Sequence, residues 1–399
     1  MNITGIIAEY NPLHNGHIYH LLEAKKICNS DALVCVMSGN FVQRGEPALI
    51  DKWSRAKSAI LSGIDLVIEL PCIYSLSSAE FFAFGAVSLL NSLGVITSLC
   101  FGSESGSIEN LEYIASLLNL EPEEYKNYLK YNLDEGLSFP KARMEAIKKF
   151  MSKNSHLLLS ENDMKSSNNV LGIEYCKSLK KLNSIIKPYT VKRKGSLYAD
   201  TKLSDYPSAT SIRNSLKEFK NADLLKNSIP ENSLEIIKNN INNITFKDSI
   251  FNFLKYKAYT NKNSLKSLPD ISEGLENKVY EALKKYNSID EALTFIKSKR
   301  YTYTRLSRIL TQYYIGFDCY NTDYLRKLPC PYARILGFND RGKKILRLMK
   351  STSKIPLISK VNKLNNETLN LDIQATKAYS LINSSVNYLD DYLKKPVIF

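Results

Sequence analysis

In the first half of the chain, short apolar runs alternate with stretches of helical periodicity, the pattern of a parallel sheet covered by helices on both faces. Ile3 to Tyr10 reads as a strand, and His17 to Cys28 as an amphipathic helix carrying Leu21, Leu22 and Ala24. Ala32 to Met37 is a second strand, Lys52 to Ser62 a helix, and Leu66 to Leu70 a third strand closed by Pro71. Ala79 to Leu93 is a helix with apolar positions nearly all round it, and Ile96 to Phe101 is a fourth strand ending at Gly102. Near-continuous apolar strands belong to sheets buried on both faces. The pattern predicts an α/β domain built on a Rossmann-like doubly wound parallel sheet. Helical sequence of mixed charge follows from Glu104 to Lys153, then a helix over Asn168 to Lys181, a strand over Ser184 to Val191, and a helix starting near Ile212. This places the end of the first domain near residue 220.

Beyond it the periodicity is mainly helical: Leu234 to Asn239, Lys247 to Tyr259, Leu275 to Tyr286, Asp290 to Ser298 and Thr304 to Ile315. A small α/β unit is predicted next, with Ala333 to Phe338 as strand, Arg341 to Lys350 as helix and Ile355 to Val361 as strand. The tail from Pro396 to Phe399 carries no pattern.

Charge sharpens this division. Residues 1–200 hold 21 basic and 21 acidic side chains, whereas residues 201–399 hold 33 basic and 19 acidic, so the whole net charge of +14 lies in the second half. A neutral half joined to a basic half suggests two jobs, and a basic surface of this size suits a polyanion such as nucleic acid. A solvated lysine-rich surface is the bland alternative. The 399 residues are ample for two domains, and no apolar run approaches the roughly 18 residues of a membrane span. The seven cysteines form no C-x-x-C pair, and Cys28, Cys35, Cys72 and Cys100 sit in or beside apolar runs, as reduced core residues do. Met1 to Gly5 lacks the features of a signal peptide, so the expected location is the cytoplasm.

The candidate chemistry begins at the first strand–helix junction. Three of the chain's four histidines, His14, His17 and His20, lie within seven residues. The segment Glu9-Tyr10-Asn11-Pro12-Leu13-His14-Asn15-Gly16-His17 opens the first helix, where unpaired N–H groups and the positive dipole end favour phosphate. Gly16 leaves room for a phosphate to approach the backbone. Two imidazoles flanking it can donate hydrogen bonds to oxygens on which charge grows during displacement at an α-phosphorus. Metal ligation by the three histidines competes with this, but no supporting carboxylate or H-E-x-x-H pattern accompanies them. A second cluster, Ser208-Ala209-Thr210-Ser211-Ile212-Arg213, puts hydroxyls and a guanidinium at another helix start. Alone it is a helix cap; with the histidines it can converge on the β- and γ-phosphates.

This pair of motifs resembles the nucleotidylyltransferase superfamily, with its H-x-G-H motif after the first strand and a later Ser/Thr-x-Ile-Arg motif, matched here by Thr210 to Arg213. The resemblance narrows over nearly the whole chain. Gly5 to His17, Met37 to Ala48, Phe101 to Glu104, Asn168 to Tyr175, Arg300 to Leu306 and Ala333 to Phe338 are similar to the bacterial tRNA(Met) cytidine acetate ligase family, with Leu13 in place of a more usual Phe. The resemblance implies that ATP and acetate form acetyl-adenylate and pyrophosphate, and that the acetyl group passes to the wobble cytidine of elongator tRNA(Met) as N(4)-acetylcytidine. It also implies an ATP site made of Ile7, Ala8, Glu9, Tyr10, Asn11, Pro12, Leu13, His14, Asn15, Gly16, His17, Ile18, Tyr19 and His20, with Gly102, Asn168 or Asn169, Arg193, Ser211 and Arg213. His14 and His17 are the expected catalytic pair, Mg²⁺ is expected to accompany ATP, and no protein-held metal is expected. Gly102 follows a strand's carboxyl end, where open α/β sheets bind ligands.

Three further segments carry two readings each. Ser38 to Gly45 is a turn or an active-site loop. Asp65 and Glu69 flank a buried strand and read as capping or structural groups rather than catalytic ones. Arg300, Tyr301, Tyr303, Arg305 and Arg308 interleave cations with stacking surfaces, which suits RNA phosphates and unstacked bases, or else form a solvated helix face with its tyrosines turned inward. A small-molecule adenylyltransferase and a non-catalytic RNA-binding protein are the alternative functions. The 179 residues beyond 220 argue against the first, and the intact histidine motif with Arg213 argues against the second.

Overall fold

The structure, a computed structural model, describes residues 1–137, 139–154, 166–194, 207–272, 274–298, 301–361 and 365–399. Its centre is a sheet containing β1 (Ile3–Ala8), β2 (Ala32–Ser38), β5 (Leu66–Leu70), β6 (Ser98–Ser103), β7 (Lys187–Lys192), β8 (Ala333–Phe338), β9 (Leu357–Ile358) and β10 (Val397–Ile398). The order is β10-β8-β5-β2-β1-β6-β7, with β9 pairing β8. β3 (Phe41–Val42) and β4 (Glu46–Pro47) form a separate antiparallel ribbon. The five strands β1, β2, β5, β6 and β7 pair in parallel, as predicted. Alternation along β2 shows why its sequence is apolar throughout. Val34 and Val36 face one core, with Leu90 and Phe82, while Leu33, Cys35 and Met37 face another, with Leu21 and Ala56.

The chain builds β1, β2 and β5 in one direction and then returns to add β6 and β7 on the other side of β1. The reversal lies between β1 and β6, and ligands bind at the carboxyl ends of strands at such a switch point. The helix Asn15–Ile27 leaves β1 at that place. It starts two residues before the predicted start because His14 itself is the N-cap.

Two sequence expectations are corrected. The strand expected over 333–338 does not belong to the second region: β8 pairs antiparallel with β5, at Leu66 with Phe338 and Glu69 with Arg334, and so extends the first domain's own sheet. The featureless tail then adds β10 in parallel to β8. Residue 220 is therefore no boundary of the sheet or of the core, since one cluster of buried side chains runs from Val34 and Ile68 through Tyr74 to Leu306, Leu310 and Tyr379. Buried charges tie the same parts together. Lys52 Nζ lies 2.8 Å from both Glu69 Oε1 and Asp391 Oδ1, and Arg334 lies 3.1 Å from Asp391 Oδ1. Asp65 is structural too, accepting from Leu33 N at 2.8 Å and from Asn339 Nδ2 at 3.0 Å.

Candidate active site

At the switch point the backbone after β1 turns back under three anchors. Arg55 Nη1 donates to Glu9 O at 2.7 Å, Arg213 Nη1 to Asn11 O at 2.9 Å, and Asn11 Oδ1 accepts from Leu49 N at 2.7 Å. Tyr10 occupies the left-handed region at φ 47°, which the tight reversal requires. The helix then opens on histidines in place of the usual hydroxyl caps. His14 Nδ1 accepts from Gly16 N at 3.1 Å, and His17 Nδ1 accepts from His14 N at 3.2 Å. The two rings lie 3.8 Å apart between centroids, and Tyr10 meets His17 edge-on at 5.0 Å.

Burial and neighbouring cations disfavour the charged rings. Burial, then the charges of Arg193 and Arg213, push His14 down to about 3. Burial, then His14 and Arg193, hold His17 well below the ordinary imidazole value, and burial with Arg193 takes His20 to about 4. At neutral pH the rings are uncharged. Because Nδ1 of His14 and of His17 accepts a backbone N–H, the single proton of each ring must sit on Nε2. The site thus holds two neutral N–H donors beside a helix N-terminus, an arrangement that stabilises growing charge on phosphate oxygens.

The cleft over this junction has a volume of about 630 Å³. On the β6–β7 side it is lined by Phe101, Gly102, Asn168, Leu171, Tyr175 and Arg193, a largely apolar wall with a few amide and guanidinium donors that suits a nucleoside. A Cβ on Gly102 would sit 3.4 Å from Arg193 Cγ, so a side chain there would press on that arginine. On the β2 side the wall is polar and cationic, from Gln43, Arg44, Arg213, Thr302, Thr304 and Arg308. Arg213 is held by an ion pair to Glu46 at 2.8 Å. A second pocket of about 410 Å³ adjoins this side, sharing Arg44, Arg213 and Thr304 and adding Lys217, Lys247, Asp290 and Tyr303.

Of the predicted ATP residues, Ile7, Ala8, Glu9, Tyr10, Asn11, His14, Gly16, His17, Tyr19, His20, Gly102, Asn168, Arg193 and Arg213 line the cleft. Pro12, Leu13, Asn15 and Ile18 are not among its lining residues; Leu13 is in the core, and Asn15 Nδ2 donates to Asn227 O at 2.8 Å, which holds the junction in place. The two asparagines are placed differently. Asn168 faces the cleft and accepts from Arg193 at 3.3 Å, whereas Asn169 is wholly buried and its Oδ1 accepts from Glu104 N at 2.9 Å. Ser211 is likewise turned inward, its hydroxyl donating to Ser208 O at 2.8 Å, and Ser208 takes the place at the cleft wall.

The predicted RNA-contacting residues do not share one exposed face. Arg300 lies outside the described residues. Arg305 stacks on Tyr301 at 4.9 Å and donates to Asp270 O, Tyr303 lines the second pocket, and Arg308 lines the cleft itself. The Ser38–Gly45 segment resolves as the β3–β4 ribbon, whose turn places Gln43 and Arg44 over the cleft. Thr302 and Thr304 were missed because nothing in the local sequence connects the start of the helix Tyr303–Ile315 with a cleft some 290 residues away. The described residues contain no group of three or more His, Cys, Asp or Glu able to hold a metal, and no helix long and apolar enough to cross a membrane.

Comparison with known proteins agrees with this geometry. Residues 1–392 match the family described as HIGH Nucleotidyl Transferase. The tRNA(Met) cytidine acetate ligase of Clostridium acetobutylicum is 59% identical over 401 residues, covering 100% of both chains. That of Clostridium novyi is 56% identical, covering 100% of this chain and 99% of its own. Among solved structures, Thermotoga maritima TmcAL in its apo form superposes with a TM-score of 0.90 at 35% identity, covering 100% of both chains. The same protein bound with alpha-thio ATP gives 0.87 at 33% identity, covering 100% of this chain and 99% of that one. An H-x-G-H helix start with neutral imidazoles at a switch point, in a chain this similar throughout, places the protein in the HIGH nucleotidyl transferase family, among the tRNA(Met) cytidine acetate ligases.

Proposed function

We propose that this chain activates acetate with ATP and transfers the acetyl group to the exocyclic amine of the wobble cytidine in elongator tRNA(Met). The reading is carried by one observation: two uncharged imidazoles whose Nδ1 atoms are occupied by backbone N–H groups, leaving two Nε2–H donors at a helix N-terminus. An acetate oxygen attacks the α-phosphorus, the bond to the bridging oxygen breaks, and pyrophosphate leaves with the electron pair. The two donors, with the N-termini of the 15–27 and Ala209–Phe219 helices and Arg213, meet the charge that gathers on the phosphate oxygens. Mg²⁺ carried on the polyphosphate would neutralise part of its charge; Glu9 is the carboxylate among the cleft-lining residues. In the second step the cytidine amine attacks the acetyl carbon, AMP departs, and the amine loses a proton. The basic second half of the chain and the cationic second pocket support an RNA partner.

Mass spectrometry of tRNA nucleosides after incubation with ATP and isotopically labelled acetate tests this reading. Labelled N(4)-acetylcytidine is the expected product. Label absent from cytidine refutes the acetylation.

A further inference from the structure

Most cations at the cationic end of the cleft already have partners. Arg213 is paired with Glu46 at 2.8 Å, and Arg326, whose charge acts on Arg308, is paired with Asp270 at 2.9 Å. Arg308 differs. Its Nη1 reaches only the carbonyl of Gln43, at 3.4 Å, and its buried Nε, like those of Arg305 and Arg326, has no hydrogen-bond partner. Among the described residues no carboxylate lies within ion-pair distance of it. Burial, chiefly, takes its guanidinium down to about 10; Asp270 opposes the shift, and the charges of Arg305, Arg326 and Arg44 add to it. A partly buried guanidinium among three others, opening on a cleft, is a site for an anion.

The helix that carries this guanidinium is held in place. Ser307 and Thr311 both donate to Gly45 O at 2.7 Å, clamping the 303–315 helix to the β3–β4 turn. Thr302 and Thr304, at the start of that helix, line the same wall and add the partial positive charge of a helix N-terminus.

We propose that Arg308 holds the carboxylate of the short-chain acid that attacks ATP, an inference that rests on the acetate-activating reading above. An acid with a negative charge must approach a polyphosphate with several, so it needs a cation apart from those serving ATP. Arg213 reaches the carbonyl of Asn11 beside the histidines at 2.9 Å and Arg193 meets Asn168 at 3.3 Å, whereas Arg308 enters the cleft from the 303–315 helix. The guanidinium fork matches a carboxylate in two parallel hydrogen bonds. Its recessed Nε suits a small molecule that enters the cleft rather than a backbone phosphate of RNA tracking the surface. When the carboxylate oxygen bonds to phosphorus and pyrophosphate leaves, the acid's charge is lost, so the ion pair belongs to the ground state and acts mainly on KM for the acid.

The test is acetate-dependent exchange of pyrophosphate into ATP, without RNA. For Arg308→Gln, KM for acetate should rise about 10- to 100-fold while KM for ATP changes less than about threefold. Arg308→Lys should recover part of the loss and, with a melting temperature matched to wild type, carries the test if the Gln variant does not fold. A rise in KM for ATP as large as that for acetate assigns Arg308 to the polyphosphate and overturns the proposal. So does unchanged exchange with only transfer to RNA impaired. Wild-type protein without acetate-dependent exchange would instead remove the acetate reading itself, and this proposal with it.

Discussion

His14 and His17 each use Nδ1 to satisfy a backbone N–H and present Nε2–H to the cleft, so replacing either ring disturbs a helix cap and a phosphate donor together. Asparagine separates the two roles, because its side-chain oxygen can take the place of Nδ1 as acceptor. His17→Asn should keep the fold but slow acetate-dependent pyrophosphate exchange about 10²- to 10³-fold, as loss of one preorganised donor does; an unchanged rate would remove His17 from the chemistry. The same burial leaves a mark on stability. His14 titrates at about 3 in the folded chain, against about 6.5 when unfolded. Its contribution is complete above about pH 6.5 and is lost as the pH falls toward 3, because the unfolded chain takes up a proton that the folded one refuses. Asp372, raised to about 8 by burial and by Glu69, acts with the opposite sign, so the measurement must be a difference. Between about pH 6 and pH 4, denaturant unfolding of His14→Asn should show a loss of stability shallower than wild type by about 1.4 kcal/mol per pH unit. Equal slopes would mean that His14 titrates as an ordinary histidine.

Among the elements, the β3–β4 ribbon and the 303–315 helix form the joint on which the cationic end of the cleft depends. Gly45 turns at φ 76°, and a Cβ there would fall 2.2 Å from Arg308 N. No flexible side-chain end can yield at that place, since the clash is with backbone. Gly45→Ala should therefore displace the 303–315 helix, destabilise the protein by about 1–3 kcal/mol in chemical denaturation, and lower exchange activity at saturating ATP. Wild-type activity in that variant would show that the joint does not place Arg308 and Arg44. The sequence made the central strands legible because each is a continuous apolar run, and it placed the 303–315 helix within one residue. It did not reveal the helix Glu367–Ser380. That helix is buried on several sides at once, with Leu369, Leu371, Ile373 and Ala375 all inside, so its apolar positions do not keep the helical spacing of a one-sided stripe.

Across the whole molecule, the first 220 residues do not form an independent body. β8 covers the edge of β5, whose five residues are all buried, and Lys52 and Glu69 meet Asp391 in a buried ion-pair network. A fragment of residues 1–220 would expose that strand edge and leave Lys52 without one of its two carboxylates. It should aggregate or lack a cooperative melting transition, while the full chain melts as one unit; a soluble, cooperatively folding fragment would restore the two-domain description. What the sequence determined by itself was local or ordered along the chain: apolar runs that must pair, a histidine helix start that must meet phosphate, and the confinement of excess positive charge to the second half. These follow from hydrogen bonding and burial within a few residues, and from composition. The tertiary structure alone decided that Asn168 and not Asn169 faces the cleft, that Arg308 enters it, and that the C-terminal strands complete the N-terminal sheet. Each of these depends on which distant surfaces pack together, and so on closing chain segments of up to several hundred residues, which no local pattern records.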